Sequence, residues 1–249
     1  MGAMPLQHEY DYPESDGQPM AETTVHWKVM VDTTQVLVRW YEEAPDMWVG
    51  SNLLLYYEKD KPGIAPDVLA VRGVTKWDRR TYKVWEEGGH VPFFVLEATS
   101  KDTKGKDTGQ NKLIYQAMGV VEYFLFDPLN ESLKPRLQGF ELTAHGYASI
   151  PRLADGSLPS KTAGLLLRGE GTRLRLIDAA TGELLLWSDE LEAARQAEAR
   201  ARRASEERAW AAEERAQAAE ERAEREAAAR QALEEELAHL RGEGRPPGR

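Results

Sequence analysis

The chain has 249 residues and a formal net charge of −10 at pH 7, and 41% of its residues are hydrophobic. This length accommodates one sizeable domain with an extension, or two small domains. The absence of cysteine excludes disulfides and thiolate metal sites, and no apolar run reaches the roughly 18 residues that predict a membrane span. With no secretory signal pattern at the N-terminus, we expect a cytoplasmic protein with no membrane segment. The acidic balance counts against a broad nucleic-acid-binding surface.

The first part of the chain is predicted to be a disordered segment followed by a helix. Residues 1–21 are rich in proline, glycine and acidic residues, a composition typical of disorder. Thr23 and Thr24 form a helix N-cap pattern, and apolar residues then recur on one helical face up to Glu43. We therefore expect a helix over about residues 23–43.

The middle of the chain alternates strand-like and helix-like segments. Strands are expected at four apolar stretches, residues 48–58, 67–73, 91–99 and 120–128. The third of these is the most apolar and is typical of a central strand buried on both faces. A helix is expected over residues 108–118, with Gly119 as its C-cap, and further strands or hairpins up to Trp187. This order predicts an α/β (α+β) domain with one central sheet over residues 22–188.

The C-terminal segment, residues 189–241, is predicted to be one long charged helix. The sequence EERA recurs every seven residues, and alanines fill the a and d positions of one heptad frame, continued by Leu233, Leu237 and Leu240. Such a seam favours coiled-coil dimerisation, but alanine buries little area, and a solvated single helix with i,i+4 Glu–Arg pairs is the alternative. Residues 242–249 are expected to be a disordered tail.

Several polar residues lie where the predicted strands begin and end. Asp67 begins one apolar strand and Glu97 ends another, and Asp107, Lys112 and Tyr115 flank the start of the following helix. If the two strands are neighbours, the carboxylates of Asp67 and Glu97 converge on one point, and two carboxylates with waters are typical Mg²⁺ ligands. A nearby lysine would then stabilise developing phosphate charge.

Each of these residues also has a plain structural interpretation. Asp67 follows a proline and is typical of a turn, and Glu97 is consistent with the first exposed position after a buried strand. Asp107 is a candidate helix cap, and Lys112 a solvated helix position. The histidines at 26, 90 and 145 have no metal-ligand spacing, which favours structural roles. No Walker A, GxSxG or HExxH motif is present.

Taken in order, these segments resemble the Uma-two family of restriction endonucleases, within the PD-(D/E)XK nuclease superfamily. The family pattern consists of a PDV strand, an E-x-x-S-x-x-T segment, D-x4-K-x3-Y and a GV-x-EYW-x-x-DP strand. The matching residues are Pro66-Asp67-Val68, Glu97, Ser100, Thr103, Asp107, Lys112, Tyr115 and residues 119–128, with Phe124 in place of the usual tryptophan. The ordered match extends over roughly residues 24–130.

The resemblance implies a restriction-endonuclease-like core, a mixed sheet flanked by helices, with Asp67 and Glu97 as ligands of Mg²⁺ or Mn²⁺. It implies metal-dependent hydrolysis of nucleic-acid phosphodiester bonds, with DNA as the substrate. An acid on the N-terminal helix, Glu42 or Glu43, is expected to complete the site. The superfamily lysine two residues after the second acid is replaced by Thr99, so Lys112 or Lys101 is expected to supply that charge.

Two functional hypotheses follow. The first is a Mg²⁺-dependent DNA endonuclease, with a homodimer through the C-terminal helix as a further expectation. The second is an inactive nuclease-like scaffold or binding module that acts through this helix, which the acidic balance and Thr99 favour. A basic groove at Glu97 favours the endonuclease, and a flat acidic surface favours the scaffold.

Overall fold

The computed structural model describes residues 12–15 and 23–243, with side chains up to residue 238. The segments predicted to be disordered, 1–21 and 242–249, fall largely outside these ranges. The secondary-structure elements are α1 (Thr24–Trp40), β1 (Met47–Gly50), β2 (Leu55–Tyr56), β3 (Val68–Arg72), β4 (Tyr82–Lys83), β5 (Pro92–Ala98), a π-helical segment (Lys106–Asn111), α2 (Lys112–Met118), β6 (Glu122–Phe126), β7 (Leu137–Thr143), β8 (Gly146–Ser149), β9 (Leu158–Ser160), β10 (Leu165–Glu170), β11 (Arg173–Asp178) and α3 (Ser188–Glu243).

The main sheet has six strands in the order β1-β3-β5-β6-β7-β8. Strands β5 and β6 pair in parallel, and the other neighbours pair antiparallel, so the sheet is mixed. Three further strands form a small antiparallel sheet in the order β11-β10-β9, and β2 pairs with β4. The predicted α/β fold with a mixed central sheet and a long C-terminal helix is confirmed.

Strand β5 lies between β3 and β6, and all seven of its residues are buried, as its continuous apolar sequence predicted. Its side chains alternate between the two faces of the sheet, as the strand period requires. Phe94 and Leu96 belong to an apolar cluster with α1 and the small sheet, whereas Val95 belongs to a second cluster with Tyr115 of α2. The alternation therefore directs Glu97 toward the α2 face, where Val95 also lies.

One end of each helix that flanks the site has a local physical cause. The hydroxyl of Thr23 accepts a hydrogen bond from the His26 amide at 3.2 Å, which caps the start of α1. Helix α2 ends at Gly119, whose φ of 91° favours glycine. The residues before α2 form a π-helical segment, a rare conformation that is frequent at functional sites.

Two differences from the sequence-based expectations concern segment boundaries. The apolar stretch 48–58 was expected to form one strand, but it contains β1 and β2, separated by a turn in which Asn52 adopts a positive φ of 47°. The helix expected over residues 108–118 starts as the π-helical segment and becomes α-helical only at Lys112. Periodicity alone does not distinguish these cases.

The chain divides into two compact units, Met1–Glu190 and Leu191–Arg249. Helix α3 begins in the first unit, where its first turn joins an arginine cluster. We use this name for Arg173 and Arg175, which stack on the Trp187 ring, together with the acids that they bind. Arg173 pairs with Asp32 and Asp189, and Arg175 pairs with Glu170 and Glu190. No helix in the described part of the chain is long and apolar enough to cross a membrane.

Candidate active site

Asp67 and Glu97 lie side by side at neighbouring ends of β3 and β5. These strands are antiparallel with Val68 opposite Leu96, which places Asp67 directly opposite Glu97. The Asp67 amide donates to Glu97 Oε2 at 3.1 Å, and the Ala98 amide donates to Asp67 Oδ2 at 2.7 Å. Each carboxylate therefore accepts a backbone hydrogen bond from the other strand, and the strand pairing fixes both side chains.

His26, near the start of α1, is the contact that the sequence did not predict as functional. Its Nε2 lies 3.0 Å from Asp67 Oδ2, and both residues are buried. The N-cap at Thr23 fixes the first turn of α1 and hence the position of this ring. The only sequence signal was a histidine in the first turn after a strong cap, and that pattern is too common to single the residue out.

Tyr115 of α2 holds the second carboxylate from the opposite side. Its hydroxyl donates to Glu97 Oε1 at 2.6 Å, and its side chain is fully buried. Burial, together with the nearby Glu97 carboxylate, keeps the pKa of Tyr115 well above its usual value, so the hydroxyl remains a donor. The arrangement fixes both oxygens of Glu97, one through the backbone of Asp67 and the other through this tyrosine.

Asp107, on the π-helical segment, adds a third buried carboxylate to the site. Burial raises its pKa to about 6, against lowering contributions from the Thr103 and Thr99 hydroxyls, and the charge of Asp67 raises it further. Asn111 donates to Asp107 Oδ1 at 3.2 Å, and Tyr123 donates to the Asp107 carbonyl at 3.0 Å. These contacts fix the segment against the sheet. We call Asp67, Glu97 and Asp107 the acid cluster.

The acid cluster carries more negative charge than its surroundings neutralise. Burial raises the pKa of Glu97 well above its usual value, and the charges of Asp67 and Asp107 raise it further. Among the described residues, no lysine or arginine forms an ion pair with these three carboxylates; His26 is the basic side chain that contacts one of them, and the charge of Lys106 lowers the pKa of Asp107 only as the last of several causes. Burying unpaired charge is costly, and a bound divalent cation would remove that cost.

The donor set fits a hydrated cation better than a fully enclosed one. Within residues 12–15 and 23–238, no group of three or more His, Asp and Glu side chains is arranged to hold a metal ion by itself. Two adjacent carboxylates suit Mg²⁺, which usually keeps several waters and takes one or two carboxylates from the protein. Asp67 and Glu97 are thus the pair of residues that could hold such an ion, with Asp107 nearby.

The two candidate lysines lie outside the acid cluster. The Lys112 ammonium is 3.4 Å from the centre of the Phe140 ring, and partial burial lowers its pKa. Lys101 is exposed, and its ammonium pairs with Glu131 at 2.9 Å. Neither ammonium contacts an acid of the cluster in the described part of the chain. The buried position 99, where the superfamily lysine is expected, holds threonine.

Glu42, the expected helix acid, lies after the C-terminal end of α1. Its backbone carbonyl accepts a hydrogen bond from Lys76 at 2.7 Å. His26 lies near the other end of this helix, which is about 25 Å long at 1.5 Å per residue. The side chain of α1 that contacts the acid cluster is therefore that of His26.

The two acids of the GV-x-EYW-x-x-DP motif, Glu122 and Asp127, stabilise loops. Glu122 on β6 is buried and accepts hydrogen bonds from Ser160, the Lys161 amide and the Thr162 hydroxyl, which attach β9 and its loop to the main sheet. Asp127 accepts from three backbone amides of the following turn, and these bonds lower its pKa against the effect of burial. Both side chains are fully used in these contacts.

Together, a mixed sheet flanked by helices and a pair of buried carboxylates at adjacent strand ends define an α/β protein with a buried acidic site. The model of the Uma-two (Uma2) family, described as "Putative restriction endonuclease", matches residues 3–168. The chain therefore belongs to this nuclease family, as its motifs predicted.

Solved structures provide a second comparison. A structure described as a putative nuclease belonging to DUF820 from Anabaena variabilis is similar to this chain at 12% sequence identity and a TM-score of 0.44. The similarity covers 58% of this chain and 76% of that one. None of the curated proteins matches the chain.

Proposed function

We propose that this protein is a Mg²⁺-dependent endonuclease that hydrolyses phosphodiester bonds in DNA. The observation that supports this proposal is the acid cluster, three buried carboxylates with no lysine or arginine partner among the described residues. Surplus buried charge of this kind destabilises a fold. Its presence therefore points to a functional site. Membership of a nuclease family gives the reaction class.

Asp67 and Glu97 are the residues that would hold the ion. Mg²⁺ bound there would lower the pKa of a coordinated water and neutralise charge on the scissile phosphate. His26 orients Asp67 through Oδ2, and Tyr115 orients Glu97 through Oε1, so that both carboxylates keep one geometry. Asp107 adds negative charge that attracts the cation.

A catalytically inactive binding module is the second candidate. It is favoured by Thr99 at the position of the usual lysine and by the contact of the Lys112 ammonium with Phe140. In the endonuclease hypothesis, Lys112 or Lys101 supplies phosphate-stabilising charge only after a side-chain rearrangement in the substrate complex. Activity therefore distinguishes the two candidates directly.

The test is cleavage of supercoiled plasmid and of single-stranded DNA and RNA by the full chain, with Mg²⁺, Mn²⁺ or EDTA. We expect metal-dependent cleavage of DNA by the wild type, and a loss of at least about 100-fold in Asp67→Asn and Glu97→Gln, since metal ligands contribute several kcal/mol to the transition state. Glu141→Gln is a matched control, because this glutamate pairs with Lys161 at the surface. Wild-type cleavage that both variants retain would refute the assignment, and an inactive wild type would favour the binding module.

A further inference from the structure

Helix α3 presents a heptad face on which two kinds of charged position can be distinguished. With the alanines at 209, 216 and 223 at a and those at 212 and 219 at d, every e position from 206 to 220 is glutamate and every g position from 208 to 222 is arginine. The side chains of Leu233 and Leu237, which continue the same d and a positions, are 61% and 52% exposed. Between residues 209 and 223 this face of α3 is therefore apolar, flanked by opposite charges and open, and Glu226 at d and Arg230 at a interrupt it before Leu233.

Among the described residues, the central charges of this face form no ion pair within their own helix, although Arg208 donates a hydrogen bond to the Ala204 carbonyl. Arg208, Glu213, Arg215 and Glu220 all have uncharged residues three and four positions away, except Glu220, whose neighbour at 224 is another acid. Ion pairs within the helix form elsewhere, between Arg202 and Glu206, Glu221 and Arg225, and Arg230 and Glu234. Stabilisation of a single helix by i,i+4 pairs thus does not account for these four residues.

A second copy of the helix would satisfy them in one orientation only. In a parallel coiled coil a g residue faces the e residue five positions further along the partner. This rule places Arg208 against Glu213 and Arg215 against Glu220 of the second copy, twice in each dimer. In an antiparallel pair the g positions face each other and so do the e positions, so arginine would face arginine and glutamate would face glutamate.

We propose that α3 forms a parallel, in-register coiled coil with a second copy of this chain. The seam is mostly alanine, so it buries little area, and the g–e′ ion pairs determine orientation more than affinity. Each domain precedes its helix in the chain, so parallel pairing brings the two domains to the same end of the coiled coil.

The absence of cysteine makes a direct test possible. Single cysteines are introduced into the full chain as Ala212→Cys at d and Ala223→Cys at a, with Ala228→Cys at f, on the outer face, as the matched control. We expect disulfide-linked dimers from both seam variants under mild oxidation and none from the control. The two seam positions are 11 residues apart, about 16 Å along the helix. In an antiparallel pair, at most one of these positions can therefore lie next to the same position of the second chain.

Each other outcome contradicts the proposal. Cross-linking of only one seam variant would show an antiparallel pair, cross-linking of all three would show random collisions, and cross-linking of none would show that the helix stays single. These readouts do not depend on nuclease activity, so they succeed or fail separately from the proposed function.

A charge-exchange series tests the g–e′ pairs themselves by sedimentation equilibrium. Arg215→Glu creates two Glu–Glu contacts in a parallel dimer and should weaken association about tenfold or more. Adding Glu220→Arg should restore it, although these residues are five apart and do not pair within one helix. Arg225→Glu, at a position away from the seam, is the control for helix stability. Failure of the double variant to recover would refute the g–e′ pairing.

Discussion

The acid cluster and the arginine cluster both bring several charged side chains together, but their charges are balanced in opposite ways. In the arginine cluster, hydrogen bonds from Arg173 lower the pKa of Asp189 to about 2, and Arg175 likewise lowers the pKa of Glu190. In the acid cluster the carboxylates lack such partners, and burial raises the pKa of Glu97 and Asp107. The arginine cluster therefore stabilises the fold, whereas the acid cluster destabilises it in the absence of a cation.

The largest effect on stability is expected from Arg175→Met. Arg175 is 4% exposed, contacts the Trp187 ring and pairs with Glu170 and Glu190. Its loss leaves Glu190 without a basic partner among the described residues and leaves Glu170 paired with Arg168 alone, and we expect the free energy of unfolding to fall by about 3 kcal/mol. Urea denaturation measures this change.

Arg225→Met is the matched control for that variant. Arg225 forms an exposed ion pair with Glu221, and such pairs contribute only about 0.3–0.5 kcal/mol. Equal losses in the two variants would contradict the stabilising role of the arginine cluster.

Asp107→Asn is expected to raise the free energy of unfolding, which is the opposite of the effect of Arg175→Met. The pKa of Asp107 is about 6 in the folded protein against 3.8 for an ordinary aspartate. Between pH 3.8 and about 6, Asp107 is ionised in the unfolded chain but still protonated in the folded protein. The free energy of unfolding of the wild type therefore falls by up to about 3 kcal/mol as the pH rises through this range. The variant should be more stable than the wild type at about pH 8, without metal, and the difference should vanish below about pH 4. Denaturation across this pH range measures the difference.

The control for Asp107→Asn is Asp155→Asn. Hydrogen bonds from Ser157 lower the pKa of Asp155, so its ionised form favours folding and its loss should not stabilise the protein. If Asp107→Asn is no more stable than the wild type at about pH 8, the charge surplus of the acid cluster is refuted.

The smallest effect on stability is expected from Tyr115→Phe. This change removes the hydroxyl that donates to Glu97 Oε1, at a cost of about 1–2 kcal/mol. It also raises the pKa of Glu97 further, so metal affinity should fall. Tyr147→Phe removes a comparable bond to the Val120 carbonyl and should leave metal affinity unchanged. A similar affinity in the Tyr115 and Tyr147 variants would contradict the role of Tyr115 in orienting Glu97.

The sequence predicted β5 because a continuous apolar run is a local pattern. It predicted the meeting of Asp67 and Glu97 only on the condition that their strands are neighbours, and the pairing of β3 with β5 meets that condition. The contact of Asp67 with His26 depends instead on how α1 packs on the sheet, which no spacing encodes. The same holds for the Lys112 side chain, whose cation–π contact with Phe140 depends on the position of β7.

Calorimetric titration of Mn²⁺ tests the central claim, that Asp67 and Glu97 form a metal site, most directly. The titration compares the wild type, Glu97→Gln and the surface control Glu141→Gln. The account predicts binding to the wild type and to the control, and its loss in Glu97→Gln. No binding to the wild type, or equal binding to all three proteins, would contradict it.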